Sequence, residues 1–67
     1  MSEERPAWQQ RVIEELKDLH VKVEKLGRFI LESFDQLPVS EQERISRQYL
    51  IMRLYEQVLR ERVEAFA

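Results

Sequence analysis

Arginines are the side chains of this sequence best suited to bind a ligand, and they outnumber lysines eight to three. The guanidinium group donates paired hydrogen bonds to carboxylates or phosphates and stacks on aromatic rings. Two interpretations follow: ion pairs with the many glutamates, or a phosphate site that forms only when several copies assemble. In the second half of the chain, every basic residue is an arginine: Arg44, Arg47, Arg53, Arg60 and Arg62.

Groups that perform catalysis are few. His20 is the only histidine, and the serine hydroxyl of Ser33 lies about 20 Å further along the same predicted helix. A nucleophile needs a base within hydrogen-bond reach, so no triad assembles within one chain. The sequence has no cysteine and no Gly-rich phosphate loop, and a histidine-based zinc site needs more than one histidine. It therefore predicts a protein that is not an enzyme, with no catalytic residue, metal or cofactor.

Three single residues each allow two interpretations. His20 either packs against Tyr55 at the edge of the helix interface or acts as a pH switch or ligand contact. Trp8 either packs against Phe66 or a neighbouring subunit, or stacks on a ligand base. Gly27, the only glycine, is either tolerated at a surface or edge position, or marks the close approach of another helix backbone or a slight bend.

Apolar spacing predicts two helices. A proline suits the first turn of a helix, and the heptad spacing that follows Pro6 predicts a helix over about residues 6–34. Pro38 interrupts the pattern, so residues 35–40 are predicted to form the loop. Ser40 and Glu43 have the spacing of a capping box, which predicts a second helix over about 41–64. The heptad positions of the first helix are Val12, Leu16, Leu19, Val23, Leu26 and Ile30.

Two long helices joined by a short loop form an antiparallel hairpin. In an antiparallel hairpin, the sequence numbers of two facing residues have a constant sum. With a sum of about 75, five pairs of apolar residues face each other in one register. The same offset places Leu19 opposite Glu56, so Tyr55 is predicted to swing in and cover that layer. The predicted layers are Ile30 with Ile45, Leu26 with Tyr49, Val23 with Met52, Leu16 with Leu59 and Val12 with Val63.

The second helix carries more apolar surface than one partner helix can cover. Ile51, Leu54 and Val58 form a stripe rotated away from the one that faces the first helix. A core in a chain of 67 residues rarely supplies more than ~3–5 kcal/mol, and disulfides are excluded here. The predicted fold class is therefore all-α: an antiparallel two-helix hairpin, as a single domain over residues 1–67, that assembles into a homo-oligomeric helical bundle with these three residues at the interface.

The charge pattern argues against two classes of partner. Eleven basic and thirteen acidic residues are closely interspersed and give a net charge of −2. A basic groove or recognition helix is missing, so duplex DNA is not an expected ligand. No apolar run reaches membrane-spanning length, and residues 1–6 are not expected to be a signal peptide. The predicted location is the cytoplasm, without a membrane partner.

The opening of the chain, Arg-Pro-Ala-Trp-Gln-Gln-Arg-Val from Arg5, resembles that of a family of short, poorly characterised proteins of crAss-like and other tailed phages. Where that family is expected to have a further basic residue, this chain has Leu16, and its loop is somewhat shorter. The resemblance covers nearly the whole chain. Further similar positions are Leu19, Lys22, Lys25, Leu26, Phe29, Ile30, Leu37, Pro38, Glu41–Glu43, Gln48, Met52, Tyr55, Leu59, Arg62 and Val63.

The resemblance implies a phage-encoded accessory protein in a bacterial host, without implying an activity. By architecture alone, the chain is similar to oligomeric phage proteins that sequester the cyclic nucleotide signals of CBASS and Thoeris defence. The first hypothesis is a sponge for a cyclic oligonucleotide, with Arg11, Arg47 and Arg62 on phosphates and Trp8 and Tyr55 on bases. The alternative is a protein-interaction module that docks on a host defence protein or a phage protein through the stripe of the second helix.

Overall fold

The computed structural model describes residues 5–66, which form one helical hairpin measuring 56 × 16 × 15 Å. Helix α1 (Ala7–Ser33) is followed by a 3-10 turn (Phe34–Gln36) and helix α2 (Val39–Glu64). The two-helix, all-α fold is as predicted. Residues 1–4 and Ala67 lie outside the described residues, and so does most of the segment predicted not to be a signal peptide.

Both helices begin directly after a proline. Pro6 and Pro38 have φ of −55° and −57°, with ψ of 150° in each case. Their carbonyl oxygens accept the first helical hydrogen bonds, from the backbone N–H of Gln10 at 3.2 Å and of Gln42 at 2.9 Å. Since a proline ring fixes φ, each helix starts from a preset backbone angle.

The predicted capping box is wrong. Helix α2 begins at Val39, two residues before the predicted start, and no side chain caps it. Ser40 and Glu43 are exposed within its first turns. Because Pro38 already sets the start of the helix, the serine falls inside it, where its hydroxyl has no capping position to fill. Instead, the side-chain nitrogen of Gln42 donates to the carbonyl oxygen of Phe34 at 2.8 Å and ties the turn to α2.

The helices pack antiparallel along one apolar seam, in the predicted register. The pairs that face each other across it include Gly27 with Tyr49, and His20 with Glu56, whose numbers add to 76. The apolar residues buried in the seam are Val12, Leu19, Val23, Ile45 and Leu59, and the half-buried ones packed against them are Leu16, Tyr49, Met52, Val63 and Phe66.

The layer around Leu19 differs from its prediction. Glu56 stays in the seam and is only 6% exposed, whereas Tyr55 lies outside with 43% of its surface exposed. Tyr55 therefore does not cover Leu19, and His20 does not pack against it. The carboxylate remains buried because the seam supplies hydrogen-bond partners for it, which removes the need to replace it with an aromatic ring.

The outer stripe of α2 is open to solvent in the single chain. Ile51, Leu54 and Val58 are 63%, 54% and 50% exposed, respectively. Their position on the face of α2 away from α1 agrees with the sequence prediction. The homo-oligomeric bundle itself stays a prediction.

Truncating the seam should destabilise the hairpin far more than truncating its surface. Leu59 is 1% exposed, so Leu59→Ala is expected to lower the free energy of unfolding by about 2–4 kcal/mol. Leu31, at 88% exposed, loses the same atoms in Leu31→Ala at a cost of at most about 0.5 kcal/mol. Urea unfolding followed by circular dichroism at 222 nm measures both. Equal effects of the two substitutions would contradict the assigned seam.

Candidate functional site

One side of the hairpin carries an open groove of about 770 Å³ that runs along the seam. We call it the arginine groove. Both helices contribute to it, so it depends on their register. The polar and small residues that line it are His20, Glu24, Gly27 and Arg28 from α1, and Tyr49, Arg53, Glu56 and Arg60 from α2.

The only glycine of the chain lines the groove at the point where the Tyr49 ring lies against α1. A Cβ atom on Gly27 would stand 3.1 Å from the Tyr49 hydroxyl oxygen and 3.3 Å from Cε1 of the ring, both tighter than ordinary van der Waals contact. The missing side chain therefore lets the tyrosine ring lie against α1. The nearest atoms belong to a side chain, so the close approach of another helix backbone predicted for Gly27 is not what the structure shows.

Tyr49 in turn positions one of the arginines. The Arg53 guanidinium donates to the Tyr49 hydroxyl at 3.3 Å, and its carbon lies 5.7 Å from the ring centroid. This is a cation–π arrangement, which holds the guanidinium without neutralising it. Within residues 5–66, neither Arg53 nor Arg28 forms an ion pair. Both remain exposed, with donors available to an anion.

At the other end of the groove, a buried carboxylate joins the helices. Glu56 Oε2 accepts from His20 Nδ1 at 2.5 Å and from an Arg60 nitrogen at 2.9 Å. His20 Nε2 lies 3.2 Å from Glu24, so both ring nitrogens face carboxylates. The hydrogen bond from His20 and the charge and hydrogen bond of Arg60 hold the pKa of Glu56 below its usual value, although burial alone would raise it.

The groove carries an excess of one positive charge, because the three arginines that line it outnumber its two glutamates. Glu56 is engaged by His20 and Arg60, and Glu24 lies beside His20. Arg28 and Arg53 then remain as cations without a carboxylate among the described residues. In a chain of net charge −2, this is a local reversal of sign. A groove with free guanidinium groups beside an aromatic ring is suited to a phosphate-bearing ligand.

The arginines of α2 therefore divide between the two interpretations offered by the sequence. Arg60 pairs with Glu56, and Arg44 pairs with Glu41 at 3.0 Å. The other three, Arg47, Arg53 and Arg62, form no ion pair within the described part of the chain.

Most of the predicted ligand residues lie away from the arginine groove. Trp8 packs edge-on against Phe66, with ring centroids 5.2 Å apart and planes at 88°, which confirms the predicted contact. Arg11, Tyr55 and Arg62 are exposed. The helical repeat of about 100° per residue places them on the opposite side of the hairpin from the groove.

A single chain does not bring the five predicted residues to one small ligand. Arg47 and Arg62 lie fifteen residues apart on one helix, or about 22 Å. Together with Trp8, Arg11 and Tyr55, they stay a predicted site for an assembly of several chains.

Sequence reasoning missed the arginine groove. The predicted register indicates one part of the groove, because it places Glu56 inside the seam, where a buried carboxylate needs a basic partner. His20 faces that position and Arg60 follows it by one helical turn, so the cluster was readable in principle. No sequence pattern distinguishes Arg28 and Arg53 from other surface arginines. Only the relative rotation of the two helices shows that both line the same groove.

The described residues lack a metal-binding cluster and a membrane-spanning helix. Residues 5–66 contain no cluster of three or more His, Asp or Glu side chains that could hold a metal ion. Within that range, neither helix combines the length and apolarity needed to cross a membrane.

Comparison with known proteins shows the family of this chain. A family model described as Sequestin matches residues 6–65, which span the hairpin from Pro6 to the end of α2. The chain belongs to the Sequestin family. Comparisons with curated proteins and with solved structures found no match. Membership of Sequestin agrees with the predicted resemblance to a small protein family, while the relation to crAss-like phages stays a prediction.

The lowered pKa of Glu56 predicts acid-sensitive stability. Its ionised form stabilises the hairpin fully above the ordinary pKa of 4.5, and this contribution is lost as the pH falls through the lowered pKa of the folded state. Glu56→Gln should therefore be less stable at neutral pH and lose less stability on acidification. Urea midpoints measured from neutral to strongly acidic pH test this.

Glu24→Gln is the matched control, because Glu24 also faces His20 but its side chain is 63% exposed. This variant should keep the acid sensitivity of the unsubstituted chain. If both variants follow the same pH profile, Glu56 is not the carboxylate responsible.

Proposed function

We propose that this Sequestin-family chain is a non-enzymatic binding protein that sequesters a small phosphate-bearing molecule, specifically a cyclic oligonucleotide signal. It would act in the bacterial cytoplasm during phage infection and counter a host defence. The name of the family points to sequestering. The observation that carries the proposal is an open groove lined by Arg28 and Arg53, neither of which forms an ion pair within residues 5–66, with Arg53 held over the Tyr49 ring.

The chemistry of the groove fits such a ligand. Arg28 and Arg53 come from different helices, so their guanidinium groups offer donors to phosphates on both sides of the seam. Tyr49 adds an aromatic face, and base–aromatic stacking contributes about 1–3 kcal/mol per base. The volume of about 770 Å³ lies within the usual range for small-molecule sites of about 300–1,000 Å³.

The residues predicted from sequence form an alternative position for the same ligand. Arg11 and Arg62, with Trp8 and Tyr55, would contact it on the other side of the hairpin, where a second subunit and its Arg47 complete the site. Since the two positions lie on opposite sides, substitutions separate them.

A second candidate function is docking on a host or phage protein. The exposure of Ile51, Leu54 and Val58 favours it, because a contiguous apolar stripe on a surface helix is typical of helix-in-groove recognition. Recovery of a stoichiometric protein partner from infected cells, without a bound small molecule, would support this function over sequestration.

Ligand binding can be assigned to one side of the hairpin by calorimetry. The unsubstituted chain is titrated with a panel of cyclic di- and trinucleotides. Replacing both Arg28 and Arg53 by alanine should weaken binding by about 100-fold, since a hydrogen bond to a charged group contributes ~1.5–3 kcal/mol. Both arginines are exposed and neither forms an ion pair within residues 5–66, so the fold should be unchanged.

The control replaces Arg11 and Arg62 by alanine and should retain full affinity. Loss of binding in the control alone would move the ligand to the opposite side of the hairpin. No binding across the panel by the unsubstituted chain would remove cyclic oligonucleotides as the ligand class.

Assembly is tested by light scattering at micromolar concentration, where the chain is expected to be oligomeric. Leu54→Glu places a charge in the middle of the outer stripe and should dissociate the assembly while circular dichroism still shows both helices. Leu31→Glu is the matched control, since Leu31 is 88% exposed on α1. A monomeric unsubstituted chain, or a fully assembled Leu54→Glu variant, would contradict the proposed interface.

A further inference from the structure

The outer face of α2 combines an apolar centre with opposite charges at its two ends. Arg47, Ile51, Leu54, Val58 and Glu61 follow one another at spacings of four, three, four and three, which is a heptad seam. All five are exposed, and the hairpin uses none of them in its own core. The basic residue lies at the N-terminal end of the stripe and the acidic residue at the C-terminal end.

This charge order distinguishes between the two ways in which a second copy can cover the stripe. A parallel pair of α2 helices would bring like charges together at both ends, Arg47 against Arg47 and Glu61 against Glu61. An antiparallel pair centred near Leu54 brings Arg47 beside the partner subunit's Glu61, and symmetry repeats this contact at the other end. Charges flanking an apolar helix seam set the orientation of the helices in this manner.

Arg47 is free for this contact. Within residues 5–66 it forms no ion pair, while Glu61 accepts only a side-chain hydrogen bond from Gln57 at 3.3 Å. A partner helix that supplies the opposite charge therefore displaces no existing ion pair. The three apolar side chains between them occupy about two helical turns, enough to form adjacent knob-into-hole layers.

We propose that two copies of the chain pair antiparallel through the outer faces of α2, with Arg47 of each beside Glu61 of the other. The pairing rests on the homo-oligomeric part of the proposed function and adds the orientation and register of the interface. The occupant of the stripe is thus a second copy of this chain.

The orientation determines where the ligand grooves lie. In an antiparallel pair, the two-fold axis is perpendicular to α2 and to the plane of the hairpin, so both arginine grooves open on the same face of the dimer. In a parallel pair, they open on opposite faces. Leu50, Leu54 and Gln57 line a continuation of the groove past Arg53, towards the stripe. The partner helix therefore forms the outer wall of that continuation.

Charge reversal tests the pairing. Arg47→Glu and Glu61→Arg each turn both symmetric contacts repulsive and should raise the dissociation constant of the dimer by about tenfold or more. The double variant restores opposite charges in an antiparallel pair and should recover the affinity to within about threefold. Sedimentation equilibrium measures all four proteins. A double variant no better than the single variants would overturn the proposal.

Crosslinking provides an independent readout, because the chain has no cysteine of its own. An equimolar mixture of Arg47→Cys and Glu61→Cys chains should form covalent dimers with a short bismaleimide. Arg47→Cys alone should not, since its two copies lie about 21 Å apart in the antiparallel pair. Efficient crosslinking of Arg47→Cys alone would show a parallel pair and overturn the proposal, as would a monomeric chain.

These outcomes are distinguishable from a failure of the proposed function. Calorimetric binding of a cyclic nucleotide by a parallel dimer would leave sequestration standing and overturn only the antiparallel pairing. Antiparallel crosslinks in a chain that binds no member of the panel would support the pairing and contradict the ligand class.

Discussion

The hydrogen-bonded cluster of His20, Glu56 and Arg60 is the interaction on which the rest of the hairpin depends. A slip of one helix by a heptad would place Glu56 opposite Ile13 or Gly27, where it loses the hydrogen bond from His20 and keeps only Arg60 of its own helix. Removing one hydrogen-bond partner from a buried carboxylate is costly, so the cluster favours one register over the neighbouring ones. That register in turn places Tyr49 over Gly27 and opens the arginine groove. Stability and candidate function therefore share one polar contact inside an apolar seam.

The seam is also thin, which explains why the outer stripe matters. A rod of 56 × 16 × 15 Å has little interior, and Leu59 is the only large side chain of the described residues that is fully buried. A second layer of helices against Ile51, Leu54 and Val58 would give α2 apolar contacts on two faces. The apolar excess of α2 is consistent with a chain whose core is completed by assembly.

The features of this fold that depend on the spacing of apolar residues can be predicted from the sequence, whereas those that depend on competing local interactions cannot. Heptad spacing sets the helices and restricts their register to offsets of whole heptads, because any other offset moves apolar residues out of the seam. The observed start of α2 differs from the predicted one because Pro38 and the capping box both favour a helix start, and the backbone angle of the proline prevails. Tyr55 does not cover the layer of Leu19, because the carboxylate of Glu56 finds a hydrogen-bond partner in His20. The groove depends on how each helix is rotated about its own axis relative to the other. The apolar pattern of a single helix does not give this relative rotation.

The contact between Trp8 and Phe66 gives the hairpin a built-in spectroscopic marker. Trp8 is the only tryptophan and lies at the open end, nineteen residues or about 28 Å along α1 from Gly27. Its emission therefore reports fraying of the two chain ends and not direct contact with the groove. A molecule in the groove could change the tryptophan fluorescence only through a structural change transmitted along the helices. Such a fluorescence change would therefore report coupling between the groove and the open end of the hairpin.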